Sequence, residues 1–448
     1  MSEPTEVILS RKDRIVKRIA RFAVWWLYRS VEVYQAADSP AAGPVVGVSN
    51  HFGGFSDALL LLHVSERVPR ILARDVIWRN PVGRAVMNWI GAIPVHKPED
   101  HAGHASNDQM FASAYRALDD GELVLIFPEG ITVDDPSIAA IKTGAARIAL
   151  GARATGIEGI RIMPAGIHYE DKAALRSRVF VNIGTPMDLD EHVATEFGDI
   201  GTAPAGNREL VRELTDDIED RLRWVAPDFV DWDEAHHLTQ AAEITVRASQ
   251  DDPQQQVPAS DRDRLAAELA RANKGDKEAV IEAVTEFDQR LDTIGLTDAQ
   301  AYERLTAGHF LGYVIRSVLI GLVLLPFALI GISLNIVPLL IIGALNLLRM
   351  SPAMKATVKP LAAILLFPIV WALAAWQVVF ETSGPLATIV SVILIPVYLI
   401  AAILLTERAV LLWRAFRDWK GSRQLAAVQN EIVAGRQGVI DRVEAVTS

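Results

Sequence analysis

Long uncharged stretches in the C-terminal third constrain this chain more than any other feature. Residues 317–348, 360–380 and 382–406 contain no charged residue and are predominantly apolar. A helix needs about 20 such residues to cross a bilayer, and ordinary core helices are shorter and more polar. The sequence therefore predicts a transmembrane domain over residues 309–420, followed by a tail over residues 421–448. The first run is too long for one crossing and short for two, so three or four crossings remain open.

Basic residues flank these runs and suggest a topology. Arg316 precedes the first run, and only Glu381 separates the second run from the third. Lysine and arginine concentrate in the cytoplasmic loops of membrane proteins. The soluble N-terminal part and the tail are therefore expected on the cytoplasmic side of a cell membrane. The basic residues around the other ends of the runs are Arg349, Lys355, Lys359, Arg408, Arg414, Arg417, Lys420 and Arg423.

The soluble part is acidic overall but begins with a basic segment. The formal net charge is −11, and no basic stripe runs through the globular part, which argues against nucleic acid as a partner. Residues 11–30 are instead rich in lysine and arginine and contain the aromatic sequence Phe22-Ala-Val-Trp-Trp-Leu-Tyr28. This pattern predicts a basic-aromatic helix within residues 1–39 that lies among membrane lipid headgroups. The alternative is an amphipathic helix that packs on the soluble domain. No cysteine is present, which excludes disulfides, thiolate metal sites and a cysteine nucleophile.

Short apolar runs of strand type alternate with helical patterns between residues 44 and 186, beginning with PVVGVS at residues 44–49. This alternation predicts an α/β domain over residues 40–190. Residues 191–308 are acidic, rich in alanine and mostly helical in pattern, and form a predicted helical region. The other strand-like runs are 70–73, 91–95, 122–127, 160–164 and 178–183, and the helical patterns are 82–90, 110–118 and 141–154.

The segment SNHFGGFSD places His51 at a predicted strand end and Asp57 at a helix start. The Gly-Gly turn between them can bring the imidazole against the carboxylate. The carboxylate would then fix the tautomer of the ring and leave its other nitrogen as a general base. Read alone, a histidine after a strand is more often structural than catalytic, so this pair needs support from other residues.

Three further motifs follow predicted strands or precede a helix. Glu129 follows a strand in the sequence FPEG, where it could bind hydroxyls or orient a base, and Lys97 ends the sequence GAIPVHK. Lys142 and Arg147 lie near a helix start, where backbone N–H groups also favour anions. Each could be an ordinary turn or surface charge. Together they predict an anion site beside a base.

The segments NHFGGFSD, GAIPVHK, FPEGI and IMPAGIHY resemble, in this order, the four sequence blocks of the glycerolipid acyltransferase superfamily. The resemblance covers about residues 40–190. The stretches KTGAARIAL and LRSRVFVNIG are similar to the branch that contains the fungal-type glycerol-3-phosphate acyltransferases and their bacterial relatives. That branch implies a mixed-sheet α/β catalytic domain, followed by a helical appendix and a transmembrane domain.

The resemblance also implies roles for the site residues. His51 would be the general base and Asp57 the residue that orients it, while Glu129 and Gly130 would bind the glycerol part of the acceptor. Lys97 stands where the family usually has Arg, and a lysine supplies charge without the bidentate geometry of arginine. Many members of the family have Thr-Arg where this chain has Ile131-Thr132, so one common phosphate-binding arginine is missing. Lys142 and Arg147 would compensate for it and bind the phosphate together with Lys97.

The implied reaction is transfer of a fatty acyl group to a hydroxyl, with neither a metal nor a cofactor. The expected donors are acyl-CoA or acyl carrier protein, and the expected acceptors are glycerol 3-phosphate or its 1-acyl derivative, lysophosphatidate. Three alternatives stay open: lysophospholipid remodelling, a lipid-binding pseudoenzyme, and a membrane transporter or scaffold whose α/β domain is regulatory. A transporter would be expected to carry ionisable residues inside the membrane, and residues 317–348, 360–380 and 382–406 hold none.

Overall fold

The structure is a computed structural model. The chain forms two compact units. The first contains residues 1–235, 258–267 and 351–357, and the second contains residues 236–257, 268–350 and 358–448. The structure describes residues 9–36, 40, 42–97, 107–197, 207–252, 255–294, 297–298, 307–381, 384–422 and 429–447.

The first unit is built on a mixed sheet, which confirms the predicted α/β fold class. Its strand order is β1-β7-β6-β2-β5-β3-β4, and the short β8 pairs with β6. Strand β6 is antiparallel to β7 and β8, whereas the other neighbours run parallel. The strands are β1 (Ser30–Gln35), β2 (Val45–Ser49), β3 (Arg70–Arg74), β4 (Ile93–Val95), β5 (Leu123–Ile126), β6 (Arg161–Tyr169), β7 (Arg178–Ile183) and β8 (Met187–Asp188).

Helices alternate with the strands and cover the sheet. Strand β2 is buried along its whole length, as expected of a central strand covered on both faces. These helices are α1 (Arg11–Leu27), α2 (Phe55–Val64), α3 (Pro81–Ile90), α4 (Asp108–Asp119), α5 (Gly144–Ala154), α6 (Leu189–Phe197) and α7 (Arg208–Val225). Most of α9 (Ala259–Ala270) also belongs to the first unit, whereas most of α8 (Trp232–Ala248) belongs to the second.

The unit differs from the predicted divisions at both ends. Helix α1 ends at Leu27, and residues 30–35, within the helical segment predicted over 1–39, form edge strand β1 paired with β7. The sequence SVEVYQ explains this difference, because its β-branched and aromatic residues favour a strand. The compact unit also extends beyond residue 190, since Leu210, Leu214 and Ile218 of α7 join the apolar core of the sheet.

The second unit is helical. Three helices in the described part of the chain are long and apolar enough to cross a membrane: Leu311–Leu334, Pro352–Val379 and Val392–Trp413. They correspond to the three predicted apolar runs. The further helices that reach or lie within this unit are α10 (Lys274–Ile294), α11 (Ala307–Leu334), α12 (Ile336–Leu345), α13 (Pro352–Glu381), α14 (Pro385–Ser422) and α15 (Gln429–Thr447).

The first apolar run is broken at Asn335, which explains its intermediate length. Asn335 is fully buried, and its side chain donates to the Gly331 carbonyl at 2.8 Å and accepts from Trp371 Nε1 at 2.9 Å. Helix α11 ends before this residue and the short α12 begins after it. Because α12 has 10 residues, it is too short to cross a bilayer on its own.

Candidate active site

The site begins where β2 leaves the sheet. Asn50, directly after the strand, is fully buried and fixed to β6 by two bonds. Its Nδ2 donates to the Ile167 carbonyl at 3.0 Å, and its Oδ1 accepts from the Ile167 amide at 2.7 Å. His51 therefore leaves the carboxyl end of a central strand from a rigid position, which is where open α/β sheets commonly bind ligands.

His51 and Asp57 form the pair that the sequence predicts. His51 Nδ1 lies 2.9 Å from Asp57 Oδ2. The Asp57 side chain is 0% exposed, whereas 20% of the His51 side chain is exposed. A carboxylate can only accept, so Nδ1 carries the proton and Nε2 is the basic nitrogen. The imidazole also stacks on Phe127 with ring centroids 4.3 Å apart, which fixes its plane.

Other donors hold the Asp57 carboxylate in this buried position. The Gly53 amide lies 3.0 Å and 2.8 Å from its two oxygens, and the Tyr169 hydroxyl donates to Oδ1 at 2.7 Å. Position 53 requires glycine, because a Cβ there would lie 2.5 Å from the Tyr169 hydroxyl oxygen. Asp57 is also in the first turn of α2, where the helix dipole stabilises an anion.

Two tyrosines extend this hydrogen-bonded chain into the core. Burial raises the pKa of Tyr169 well above its usual value, and the neighbouring Asp57 carboxylate raises it further, so the hydroxyl remains a donor. Tyr28 hydrogen-bonds with Tyr169 and Ser56, and burial raises its pKa as well. The sequence suggested a headgroup position for Tyr28, but its side chain lies inside the unit with 6% of the residue exposed.

Glu129 holds the backbone of His51. Its Oε1 accepts from the His51 amide at 2.7 Å, and its Oε2 accepts from the Ala139 amide at 2.9 Å. Burial raises the pKa of Glu129, while these two amides and His51 lower it in part. The residue is 1% exposed, so its observed partners are backbone groups of this chain. Binding of an acceptor hydroxyl by Glu129 stays a prediction.

Two of the predicted cations meet at Gly130. Lys97 Nζ donates to the Gly130 carbonyl. Lys142 Nζ would lie 2.8 Å from a Cβ at this position, and the Lys142 amide donates to the Pro128 carbonyl at 2.9 Å. Gly130 has a φ of +66°, a left-handed conformation that favours glycine. The two ammonium groups therefore lie beside the residue that follows Glu129.

The remaining predicted cation is directed elsewhere. Arg147 is in the first turn of α5, with its guanidinium 4.8 Å from the centre of the Phe111 ring. Its guanidinium therefore packs on α4, and its role in phosphate binding stays a prediction. His96, next to Lys97, lies with Nδ1 2.7 Å from Asp75 Oδ2 and faces that carboxylate. Among the described residues, no group of His, Asp and Glu side chains could hold a metal ion.

Sequence reasoning did not find Tyr28 or Tyr169. Tyr169 is the last residue of the fourth block, IMPAGIHY, and its place in that block could have identified it as a residue of the site. Gly166 of the same block lies against α7, since a Cβ there would be 1.9 Å from the Val225 carbonyl oxygen.

Comparison with known proteins gives matches to the region that contains this site. Residues 30–168 match the family model described as Acyltransferase. Glycerol-3-phosphate O-acyltransferase 2 of Saccharomyces cerevisiae is 27% identical over 210 residues, which cover 46% of this chain and 27% of the yeast protein. Glycerol-3-phosphate O-acyltransferase 1 of the same yeast is 27% identical over 126 residues, covering 28% of this chain and 16% of the yeast protein.

Two further proteins are similar to this chain, one in sequence and one in structure. An uncharacterized acyltransferase of Schizosaccharomyces pombe is 30% identical over 118 residues, covering 25% of this chain and 17% of that protein. The crystal structure of the 1-acyl-sn-glycerophosphate acyltransferase of Thermotoga maritima is 18% identical with a TM-score of 0.34, covering 46% of this chain and 76% of that one. The chain thus spans about a quarter or less of the length of the curated relatives it matches. Residues 30–168 are thus similar to the Acyltransferase family, and part of the chain is similar to the yeast glycerol-3-phosphate O-acyltransferases.

Proposed function

We propose that this protein transfers a fatty acyl group from a thioester to a hydroxyl of glycerol 3-phosphate or 1-acylglycerol 3-phosphate. The observation that carries the proposal is the bond between His51 Nδ1 and the fully buried Asp57, which leaves Nε2 of a partly exposed imidazole as a base. The yeast relatives are named as glycerol-3-phosphate O-acyltransferases, which supports this choice of acceptor. The proposed donors are acyl-CoA or acyl carrier protein.

The reaction follows from this geometry in two steps. His51 Nε2 takes the proton of the acceptor hydroxyl while its oxygen attacks the thioester carbonyl carbon and forms a C–O bond. The C–S bond then breaks, and the thiolate leaves with the proton from the imidazolium. Asp57 stabilises the imidazolium between the two steps. No covalent bond between the acyl group and the protein is needed.

The phosphate of the acceptor is proposed to bind near Gly130. Lys97 and Lys142 direct their ammonium groups to this residue, which is linked through Glu129 to the backbone of His51. Lysine binds phosphate as a point charge, so the arrangement fits a small phosphorylated acceptor without requiring an arginine.

The proposed location is the cell membrane, with the catalytic unit on the cytoplasmic side. Three apolar helices of spanning length support membrane attachment. Helix α1 supports a contact with lipid headgroups, because its exposed face combines Ile19, Phe22 and Trp25 with arginines. The acylated product partitions into lipid, so synthesis at a membrane would deliver it directly.

The test is an acyl-transfer assay with the full-length protein purified in lipid nanodiscs. The panel combines acyl-CoA and acyl carrier protein with three acceptors: glycerol 3-phosphate, 1-acylglycerol 3-phosphate and lysophosphatidylcholine. Replacing His51 by Ala should lower kcat by about 100-fold or more, because a general base contributes about 10²–10⁴-fold. Asp57→Asn should lower kcat in the same way.

The matched control is His192→Ala. His192 Nε2 lies 2.7 Å from Asp217 in the same unit, so this variant removes a similar His–Asp contact outside the site and should keep its activity. Undiminished transfer by His51→Ala would refute the mechanism. Transfer to lysophosphatidylcholine alone would indicate lipid remodelling, and binding without transfer would indicate a pseudoenzyme.

A further inference from the structure

The helix that contains the second apolar span begins as part of the catalytic unit. Residues 351–357 belong to the first compact unit, although the family match ends at residue 168. Ser351 and Pro352 start α13 in the usual way, with the Ser351 hydroxyl accepting from the Met354 amide at 3.2 Å and proline in the first helical position. We call Ser351–Thr357 the anchor turn.

The anchor turn contacts the segment between His51 and Asp57, at the start of α2. Ser56, next to Asp57, donates its hydroxyl to the Ala356 carbonyl at 2.7 Å. The Thr357 hydroxyl lies 3.3 Å from the Phe55 amide and 3.4 Å from the Gly53 carbonyl. A Cβ at Gly54 would lie 2.2 Å from this Thr357 oxygen, so the two segments pack closely at that point.

Ser56 donates to a backbone carbonyl, that of Ala356, for which the helix itself supplies no i+4 donor. In an α-helix the carbonyl of residue i accepts from the amide of residue i+4. The residue four positions after Ala356 is Pro360, which has no N–H group. The Ser56 hydroxyl therefore supplies the donor that Pro360 removes, in a place where both Ser56 and Ala356 are nearly inaccessible to solvent.

The anchor turn also contacts the second loop of the site. The Ala353 amide donates to Asp134 Oδ1 at 2.7 Å, and Lys172 Nζ lies 2.9 Å from the same carboxylate oxygen. Burial alone would raise the pKa of Asp134, but Lys172 and the Ala353 amide outweigh it and lower the pKa. The neighbouring Val133 amide donates to the His51 carbonyl at 3.2 Å. The anchor turn thus contacts both the start of α2, which contains Asp57, and the loop that follows Glu129.

We propose that the anchor turn is a positioning element of the active site, which fixes the distance between the start of α2 and the loop that follows Glu129 through Ser56 and Asp134. The proposal rests on the proposed acyl transfer for its effect on rate. Its structural part, the bond between Ser56 and Ala356, can be tested separately. The anchor turn is the first part of the apolar helix Pro352–Val379, which is long enough to span a membrane.

The experiment is a double-mutant cycle in the full-length protein between Ser56→Ala and Pro360→Ala. The second variant restores an amide donor to the Ala356 carbonyl and should weaken its bond from Ser56. Each change should lower kcat about five- to tenfold with little change in KM, since loss of one hydrogen bond and a small displacement have effects of this size. If both act through the same bond, the double variant should be no slower than Ser56→Ala alone.

The matched control is Pro368→Ala, which restores an amide donor elsewhere in the same helix and should leave kcat unchanged. Amide hydrogen exchange of residues 53–57 should be faster in Ser56→Ala and Pro360→Ala than in the wild type. Additive losses of kcat, an equal loss in Pro368→Ala, or unchanged exchange in residues 53–57 would each overturn the proposal. The exchange measurement decides the question even if His51→Ala remains active and the proposed function fails.

Discussion

Removal of the Tyr169 hydroxyl is the most direct test of the buried network behind the base. Tyr169→Phe keeps the ring and deletes only the group that donates to Asp57 Oδ1 at 2.7 Å. The Gly53 amide and the His51 ring remain as partners of the carboxylate. The change therefore weakens the position of Asp57 without removing either member of the proposed catalytic pair.

The size of the effect follows from the burial of Asp57. Its side chain is 0% exposed, so water does not replace the lost donor. A hydrogen bond to a charged group contributes about 1.5–3 kcal/mol. If all of about 2 kcal/mol were lost from the transition state, kcat would fall about 30-fold. Because the other donors hold the carboxylate in part, we expect a decrease of about tenfold.

The assay is acyl transfer at saturating donor, with kcat and KM for the acceptor measured separately. Tyr169→Phe should change kcat and leave KM nearly constant, because the hydroxyl touches Asp57 and not the proposed phosphate site. Tyr34→Phe is the control, since Tyr34 lies on edge strand β1 with its ring beside Arg264. A kcat for Tyr169→Phe within about twofold of the wild type would refute a role for this bond in catalysis.

Two further predictions concern groups next to the pair. Glu129→Gln should lower kcat and destabilise the unit by about 2 kcal/mol, because the new NH₂ group would face the His51 or Ala139 amide that now donates to the carboxylate. The comparison is Glu129→Asp, which keeps both acceptor oxygens on a shorter side chain. Unchanged activity in Glu129→Gln would contradict the reasoning. His168 donates from Nε2 to the Val225 carbonyl at 2.7 Å, and burial lowers its pKa below 6.5. As the pH falls, the unfolded chain therefore binds the proton before the folded protein does. The free energy of unfolding should decrease below about pH 6.5, by up to about 1.4 kcal/mol per pH unit. The thermal midpoint of the wild type should therefore fall relative to that of His168→Gln between about pH 7 and about pH 5, and parallel curves would contradict this.

Sequence patterns predicted those features of the fold that are determined by residues close together in the chain. The uncharged runs indicated the three apolar helices, because length and polarity alone decide whether a helix can span a bilayer. The alternation of strand and helix patterns indicated the α/β fold, and the segment around His51 and Asp57 indicated their contact, since six positions along a tight turn restrict where the two side chains can lie.

Long-range contacts account for what the sequence did not predict. Tyr28 follows Val24 by four residues and so continues the buried face of α1, but its hydrogen bond with Tyr169, more than a hundred residues later, has no signal in the local sequence. The sequence predicted that Glu129 could bind hydroxyls or orient a base, but it gave no sign that the backbone amides of His51 and Ala139 donate to its two oxygens. The contact of Ser56 with Ala356 joins residues 300 positions apart.

The parts of the chain outside the family match explain how the matched part is held in place. Residues 30–168 contain His51, the proposed base, together with Asp57 and the lysines near Gly130. Helix α1, which precedes them, contributes Lys17, whose ammonium donates to the carbonyls of Leu62, His63 and Ser65 at the end of α2. The anchor turn contacts the beginning of the same helix through Ser56. Helix α2 carries Asp57 in its first turn and is therefore fixed at both ends by segments that lie outside the match. Since a displacement of 1 Å can lower a rate by about 100-fold, we infer that the reacting groups come from the matched region and that their alignment depends on the rest of the chain.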